Sequence, residues 1–238
     1  MSVYRALPEH EFKDIESRIV YEDNHILALC KRPGEIVQGD KTGDEPLPET
    51  LKAFVAQRDG KPGQVFMGVP HRLDRPVSGL VLLAKTSKAL ERLGAMFRDG
   101  QVHKTYWALC CGKPSPLQGE LEDYLVRNEA SNKSFISAGN KPGAKLARLR
   151  YRFIGSTDRY HLVEVELLTG RHHQIRCQLA HAGCIIKGDL KYGAPRSNPD
   201  GGICLHAREI RFVHPVKKTE ITITAPVPSS WKGIEAYV

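Results

Sequence analysis

Residues 70–86 read Pro-His-Arg-Leu-Asp-Arg-Pro-Val-Ser-Gly-Leu-Val-Leu-Leu-Ala-Lys-Thr and place two kinds of chemistry next to each other. The first half is charged, and Asp74 lies in it between Arg72 and Arg75. The second half, residues 80–84, is an unbroken apolar run, which predicts a strand that is buried on both faces. The segment therefore predicts a charged turn at the entrance to a core strand.

The composition of the 238-residue chain, with 41% apolar residues, is typical of a globular protein. This length suits one large domain or two small ones. No stretch approaches the roughly 18 consecutive apolar residues of a membrane span, and we expect no secretory signal. Six scattered cysteines without a C-x-x-C pair predict reduced thiols. We therefore expect a soluble, cytoplasmic protein that does not bind membranes.

The net charge of +8 is unevenly distributed along the chain. Residues 1–30 contain three Lys and Arg against six Asp and Glu, a balance of −3, whereas residues 140–218 contain fifteen against six, a balance of +9. A basic half favours a polyanionic partner, because each phosphate that is neutralised releases counterions. A merely soluble cationic surface would have the same composition, so charge alone leaves both interpretations open.

Periodicity and turn residues predict an α+β fold with a mixed, mainly antiparallel sheet flanked by helices. Besides the strand at 80–84, we expect strands at 19–21, 26–29, 104–111, 148–153, 161–168, 203–207 and 220–225, and helices at 47–59, 88–99 and 172–182. Residues 1–18 are polar and are expected to be loosely ordered. Residues 114–143 are rich in Pro, Gly, Ser and Asn and predict surface loops. Apart from residues 1–18, the chain from 19 to 238 is predicted to be a single domain.

Asp74 is the first candidate for chemistry. Neighbouring arginines favour the charged form of a carboxylate, which can serve as a nucleophile, a base or a metal ligand. A structural ion pair at a turn is the commoner role of an Asp beside Arg. The local sequence does not decide between these interpretations.

Two further segments carry candidate residues. Arg171 and Arg176 lie where a predicted strand gives way to a helix, and helix N-termini bind anions. Tyr106 follows Lys104 by two residues, which is compatible with a base-stacking aromatic or with a core residue. His173, Cys177 and His181 are spaced for one helix face, but no fourth zinc ligand accompanies them, so packing is favoured over metal binding.

Taken together, the chain resembles the RluA-type pseudouridine synthases. The resemblance covers the sequence from about residue 19 to the C-terminus. Two departures from the usual pattern are Val77, where Thr is common, and His172, where Ser or Thr is usual. The matching segments, in order, are 71–74 with 78–79, 104–108, 169–176, 188–193, 205–207 and 214–215.

The resemblance implies an RNA pseudouridine synthase with one catalytic domain and a bisected sheet. The reaction isomerises uridine to pseudouridine in ribosomal or transfer RNA. It involves no net redox change or hydrolysis, so neither cofactor nor metal is expected. The implied partner is RNA, with no obligate protein partner and a monomeric state. A catalytically inactive RNA-binding module of the same fold is the main alternative.

The resemblance also implies roles for individual residues. Asp74 would be the nucleophile and Arg176 its ion-pair partner. Tyr106 would stack on the uracil, and Arg72 would fill the space of a uridine flipped out of the RNA. The other residues expected to contact RNA are Arg75, Lys104, Arg148, Arg150, Arg171 and His173.

Overall fold

The apolar run after Asp74 forms the buried strand that the sequence predicts. In the computed structural model, which describes residues 3–238, this strand is β3 (Ser78–Ala84), and every one of its residues is buried. In the sheet it lies between the first two strands of the chain and a larger group of antiparallel strands. The strand therefore joins two parts of one sheet.

Within residues 3–238 the chain forms ten strands and four α-helices. The helices are α1 (Glu9–Arg18), α2 (Leu47–Arg58), α3 (Ser87–Arg98) and α4 (Gln174–His181), and two short 3-10 helices span Leu190–Tyr192 and Glu235–Tyr237. The remaining strands are β1 (Ile19–Glu22), β2 (Ile26–Lys31), β4 (His103–Cys110), β5 (Gln118–Asn128), β6 (Lys133–Ser137), β7 (Lys145–Ser156), β8 (His161–Leu167), β9 (Leu205–Val213) and β10 (Glu220–Thr224).

The strands form one sheet in the order β1-β2-β3-β9-β4-β8-β7-β5-β6, with β10 also paired to β9. All the strand pairs are antiparallel except β3 with β9, which are parallel over only two residue pairs. Further along β9, at residues 209–213, the hydrogen-bonded neighbour is β10 rather than β3, so the sheet divides at this point. The predicted α+β fold with a mixed, mainly antiparallel sheet is confirmed.

His71 closes part of the gap that opens where β3 leaves β9. Its Nε2 accepts a hydrogen bond of 2.9 Å from the Leu82 amide, and its ring stacks on Phe97 with 4.5 Å between centroids. Burial lowers the pKa of His71 to about 3, so the imidazole is neutral and can accept this bond. The residue at the start of the charged turn is thus a structural support for β3.

Two segments are more regular than the sequence predicts. Residues 9–18 form helix α1 rather than a loosely ordered segment, and Ile15 of that helix is buried in a hydrophobic core that extends from Leu7 to Ile234. Residues 114–143 contain β5 and β6 rather than surface loops alone. In β5 exposed residues alternate with less exposed ones from Gln118 to Leu125, a strand pattern that the Pro, Gly, Ser and Asn content of the whole segment obscured.

Helix boundaries differ slightly from the prediction. Helix α3 begins at residue 87 rather than 88, and Thr86 caps it, because its hydroxyl accepts a hydrogen bond from the Ala89 amide. Helix α4 begins at residue 174 rather than 172, since His173 has a left-handed backbone with φ 52°. Arg171 and His172 therefore belong to the turn that precedes the helix.

Gly79 makes the close approach of β3 and β9 possible, and its replacement tests that role. It has φ +109°, and an added Cβ would lie within van der Waals overlap of the Ala207 backbone. We expect Gly79→Ala to reduce the free energy of unfolding by about 3 kcal/mol, measured by urea denaturation. Gly94→Ala, in the open interior of α3, is the matched control and should raise it by about 0.5–1 kcal/mol.

Candidate active site

Asp74 meets residues from a distant helix rather than its neighbours in sequence. Its Oδ2 lies 3.3 Å from Nη1 of Arg176 and 3.6 Å from Nε2 of His173. The side chain of Asp74 is 30% exposed, while those of Arg176 and His173 are 6% and 5% exposed. The ion pair that the local sequence suggested with adjacent arginines is therefore absent among the described residues, and α4 and the turn before it supply the partners.

Arg176 is held mainly by a second carboxylate, that of Asp189. Its Nε and Nη2 donate to the two oxygens of Asp189 at 2.7 and 2.8 Å, which is a bidentate pair. Burial lowers the pKa of Arg176, but the hydrogen bonds and charges of Asp189 and Asp74 outweigh that effect and raise it. The guanidinium is thus charged and fixed in orientation, with Nη1 left for Asp74.

Tyr106 and Asp74 border the same cavity, whose volume is about 120 Å³. Tyr106 projects from β4 and is buried, and burial together with the charge of Asp74 raises the pKa of its phenol. The phenol is therefore protonated at neutral pH. The cavity also has apolar walls, formed by Leu73, Val77, Leu167, Ile175 and Leu205. An aromatic ring, a carboxylate and apolar walls together suit a planar ligand with polar edges.

A chain of hydrogen bonds connects His173 to strand β6. His173 Nδ1 lies 3.1 Å from the Tyr192 hydroxyl, and that hydroxyl contacts the amide nitrogen and the carbonyl oxygen of Ser134 at 2.9 and 3.1 Å. The ring of Tyr192 also lies 5.2 Å from Cζ of Arg176. Strand β6 is thereby connected to the residues that surround Asp74.

The turn before α4 is shaped by one amide side chain. Oε1 of Gln174 accepts from the Thr169 hydroxyl and from the Arg171 amide, and its Nε2 donates to the Arg148 carbonyl. Arg148 was expected to contact RNA through its side chain, but its backbone has this further structural role. The bonds hold the turn against β7 and so fix where α4 begins.

Two of the arginines expected to bind RNA lie at the cavity. Arg72 and Arg171 both line it and are exposed. Arg72 donates to Gln38, and Arg171 donates through Nε to the Leu146 carbonyl. Among the described residues neither is paired with a carboxylate, so each has a positive charge available to a ligand.

Three other predicted RNA contacts are placed differently. Arg75 forms ion pairs with Asp40 and Asp44, which hold an exposed loop. Lys104 is half-buried and does not line the cavity, and burial lowers its pKa. Arg150 pairs with two glutamates from neighbouring strands, Glu120 at 3.1 Å and Glu166 at 3.5 Å.

Strand register places Arg150 on the other face of the sheet from Tyr106. Arg150 pairs with Glu166, and Glu166 pairs with Thr105, the residue before Tyr106. Directly paired residues project to the same face, whereas successive residues project to opposite faces. Arg148 shares the face of Arg150. These two exposed arginines therefore do not line the cavity, and their predicted contacts with RNA would lie on the other face of the sheet.

Asp189 and Tyr192 are the site residues to which the sequence assigned no role. Both lie in the segment Gly188-Asp189-Leu190-Lys191-Tyr192-Gly193, which the resemblance included without chemistry. Asp189 is 1% exposed and Tyr192 is 8% exposed. A buried Asp needs a charged partner. The position of Asp189 in a segment that matches the family was therefore the sequence feature that could have indicated its role.

No group of three His, Cys, Asp or Glu side chains within residues 3–238 is arranged to hold a metal ion. His173 faces Asp74 and Tyr192 and precedes α4, so the spacing of His173, Cys177 and His181 does not produce a shared helix face. No helix within residues 3–238 has the length and apolar character that crossing a membrane requires.

Comparison with known proteins agrees with this geometry. The family model for RNA pseudouridylate synthase matches residues 25–181. A ribosomal large subunit pseudouridine synthase C from Vibrio cholerae is 33% identical over 220 residues, which cover 90% of this chain and 67% of that protein. A tRNA pseudouridine synthase C from Vibrio parahaemolyticus is 30% identical and covers 92% of this chain and 94% of its own.

A solved structure, human RNA pseudouridylate synthase domain containing 4, has the same fold. It superposes with a TM-score of 0.77 at 24% identity and covers 92% of each chain. Its identity is too low to carry more than the fold. With the family model and the bacterial relatives, however, the assignment is clear: the chain belongs to the RluA-type RNA pseudouridine synthases, the isomerases that convert uridine in RNA to pseudouridine.

Proposed function

We propose that this enzyme acts on a uridine of ribosomal or transfer RNA with Asp74 as its nucleophile. The observation that carries the proposal is the contact between the partly exposed Asp74 and the buried Arg176 at a cavity that Tyr106 borders. Arg176 donates a hydrogen bond to the carboxylate and holds its orientation, as a positioned nucleophile requires. The relatives' names refer to the large ribosomal subunit and to tRNA, so both classes of RNA are candidates.

The chemistry balances without an added group. The bond between N1 of uracil and C1′ breaks, the uracil turns, a bond forms between C5 and C1′, and the hydrogen on C5 is replaced by one on N1. Asp74 would form a covalent bond to the ribose or to the uracil ring and later release it. There is no net redox change or hydrolysis, and we therefore propose that neither a metal nor a cofactor takes part.

The uridine must leave the RNA stack before Asp74 can reach it, because stacking hides the glycosidic bond. The cavity is small and lies below an exposed mouth at which Arg72 and Arg171 project. We propose that Arg72 occupies the space the base vacates and that Arg171 contacts a phosphate. Tyr106 would stack on the uracil within the cavity.

Tyr106 is also suited to the last proton transfer. Its phenol is protonated in the free enzyme, since burial raises its pKa. Accepting the C5 proton therefore requires that the phenol pass its own hydrogen to a neighbouring acceptor, and the Asp74 carboxylate, freed from the ligand at that stage, can receive it. Asp74 then loses this proton to solvent, and N1 of the uracil gains one from solvent, so the enzyme returns to its starting state. The presence of Asp74, Tyr106 and Arg176 at one cavity supports the enzyme over an inactive RNA-binding module of the same fold, which has no need for this arrangement.

We further propose that the protein works in the cytoplasm as a monomer without an obligate protein partner. The location, the oligomeric state and the absence of a partner stay predictions from the sequence.

Replacement of Asp74 tests the proposed function directly. Asp74→Asn keeps the shape of the side chain but removes its nucleophilic charge, so we expect RNA binding within about twofold of wild type and a loss of pseudouridine formation of at least about 10³-fold. The measurement is pseudouridine mapping on RNA from cells without the gene, complemented by each variant. Asp44→Asn, in the exposed loop near Arg75, is the matched control and should complement fully. Turnover by Asp74→Asn would exclude Asp74 as nucleophile.

Tyr106→Phe separates stacking from proton transfer. The ring stays, so RNA affinity should change less than about twofold, while loss of the hydroxyl should slow turnover by about 10²- to 10⁴-fold. Single-turnover kinetics and filter binding measure the two effects separately. Tyr106→Leu should also weaken binding, because it removes the stacking surface. Normal turnover by Tyr106→Phe would contradict the role in proton transfer.

Arg171 and Arg150 test which face of the sheet binds RNA. Arg171→Ala should weaken RNA binding several-fold at about 0.1 M salt and reduce the slope of log K against log salt concentration by about 1, as expected for one lost phosphate contact. Arg150→Ala is the control, because that guanidinium is already paired with glutamates on the far face. Equal losses in both variants would show that the arginine-rich strand also contacts RNA.

A further inference from the structure

The imidazole of His173 lies between the proposed nucleophile and a buried tyrosine. Nε2 is 3.6 Å from Asp74 Oδ2, and Nδ1 is 3.1 Å from the Tyr192 hydroxyl. The first distance is beyond hydrogen-bond range, so in the free protein this contact is electrostatic. Contacts of this kind commonly shorten when substrate binds. The ring is therefore placed to act on the same oxygen of Asp74 that Arg176 contacts.

Only one nitrogen of His173 bears a proton at neutral pH. Burial, together with the positive charge of Arg176, lowers the pKa of His173 to about 2. The ring is therefore neutral, and the identity of the protonated nitrogen determines whether it presents an N–H group or a lone pair to Asp74. An N–H group attracts the carboxylate, whereas a lone pair repels it.

Tyr192 has one hydroxyl proton and two possible acceptors for it. Its oxygen accepts from the Ser134 amide at 2.9 Å, and it can donate to the Ser134 carbonyl or to Nδ1 of His173, both at 3.1 Å. Donation to Nδ1 requires the tautomer that has its proton on Nε2, facing Asp74. Donation to Ser134 instead would place the proton on Nδ1 and aim the Nε2 lone pair at Oδ2. The charge of Asp74 favours the first arrangement.

The two oxygens of Asp74 are not equivalent. Arg176 and His173 both lie against Oδ2. Among the residues that the structure describes, none donates a hydrogen bond to Oδ1, whereas Oδ2 accepts one from Arg176. A carboxylate held through one oxygen presents the other to the cavity, where a reacting atom would lie.

We propose that Tyr192 keeps His173 in the tautomer with its proton on Nε2, and that this imidazole and Arg176 together hold Oδ2 of Asp74 so that Oδ1 is the reacting oxygen. His173 and Tyr192 are then positioning residues that never touch the uridine's reacting atoms. The inference rests on the proposed role of Asp74 as nucleophile. It changes the expected function of His173 from an RNA contact to a support for Asp74.

Nitrogen NMR of protein labelled with [15N]histidine tests the tautomer without any substrate. In the wild type at pH 7 we expect the His173 signals of a neutral ring protonated at Nε2. In Tyr192→Phe the donor to Nδ1 is gone, so the signals should shift toward a mixture of tautomers, and kcat should fall about tenfold with KM within about twofold. Tyr160→Phe is the matched control, because the Tyr160 ring packs near Lys187 and its hydroxyl has no hydrogen bond within the described residues.

His173→Asn supplies a second test that does not depend on how Tyr192→Phe folds. Asn accepts the left-handed backbone of residue 173 but is too short to reproduce the contact with Oδ2. We expect kcat to fall at least tenfold with KM nearly unchanged. A wild-type ring protonated at Nδ1, or variants with unchanged tautomer and kcat, would overturn the proposal. Wild-type protein that forms no pseudouridine would instead refute the proposed function, while the tautomer measurement would still be interpretable.

Discussion

The bidentate ion pair of Arg176 and Asp189 is the interaction on which the site depends. It occupies Nε and Nη2 of the guanidinium and leaves Nη1 for Asp74. The two carboxylates and one guanidinium together have a net charge of −1, so Arg176 orients Asp74 without neutralising the group as a whole. Asp189 also pairs with the buried guanidinium. A buried charge without a partner would cost several kcal/mol of stability.

This arrangement requires an abrupt start of α4. The left-handed backbone of His173 ends the turn that Gln174 shapes, and the helix then projects Arg176 inward three residues after His173. A helix that started at residue 172 would rotate these side chains relative to the sheet. The same turn brings His173 itself to Asp74, so one unusual backbone conformation places two of the groups that contact the carboxylate.

The sequence predicted what local pattern determines and missed what distant packing determines. The apolar run of residues 80–84 predicts β3 because burial on both faces leaves no polar positions. The contact of Asp74 with Arg176 joins residues 102 apart in the chain, and only the family resemblance indicated it. From local sequence alone, Arg72 and Arg75 were the expected partners, yet they bind Gln38 and the acidic loop at 40–44. The role of Asp189 likewise follows from packing, not from its neighbours.

The arginines of β7 show why basic composition alone does not identify an RNA surface. Their alternation correctly predicts a strand with one exposed arginine face, but the glutamates that pair with Arg150 belong to the neighbouring strands β5 and β8. Those partners become apparent only once the strand order and register are known. Exposed ion pairs of this kind add little stability. The glutamates nevertheless neutralise the guanidinium charge that would otherwise attract an RNA phosphate. Arg72 and Arg171 line the cavity and have no carboxylate partner among the described residues, so the proposed RNA contacts are placed on them rather than on Arg150.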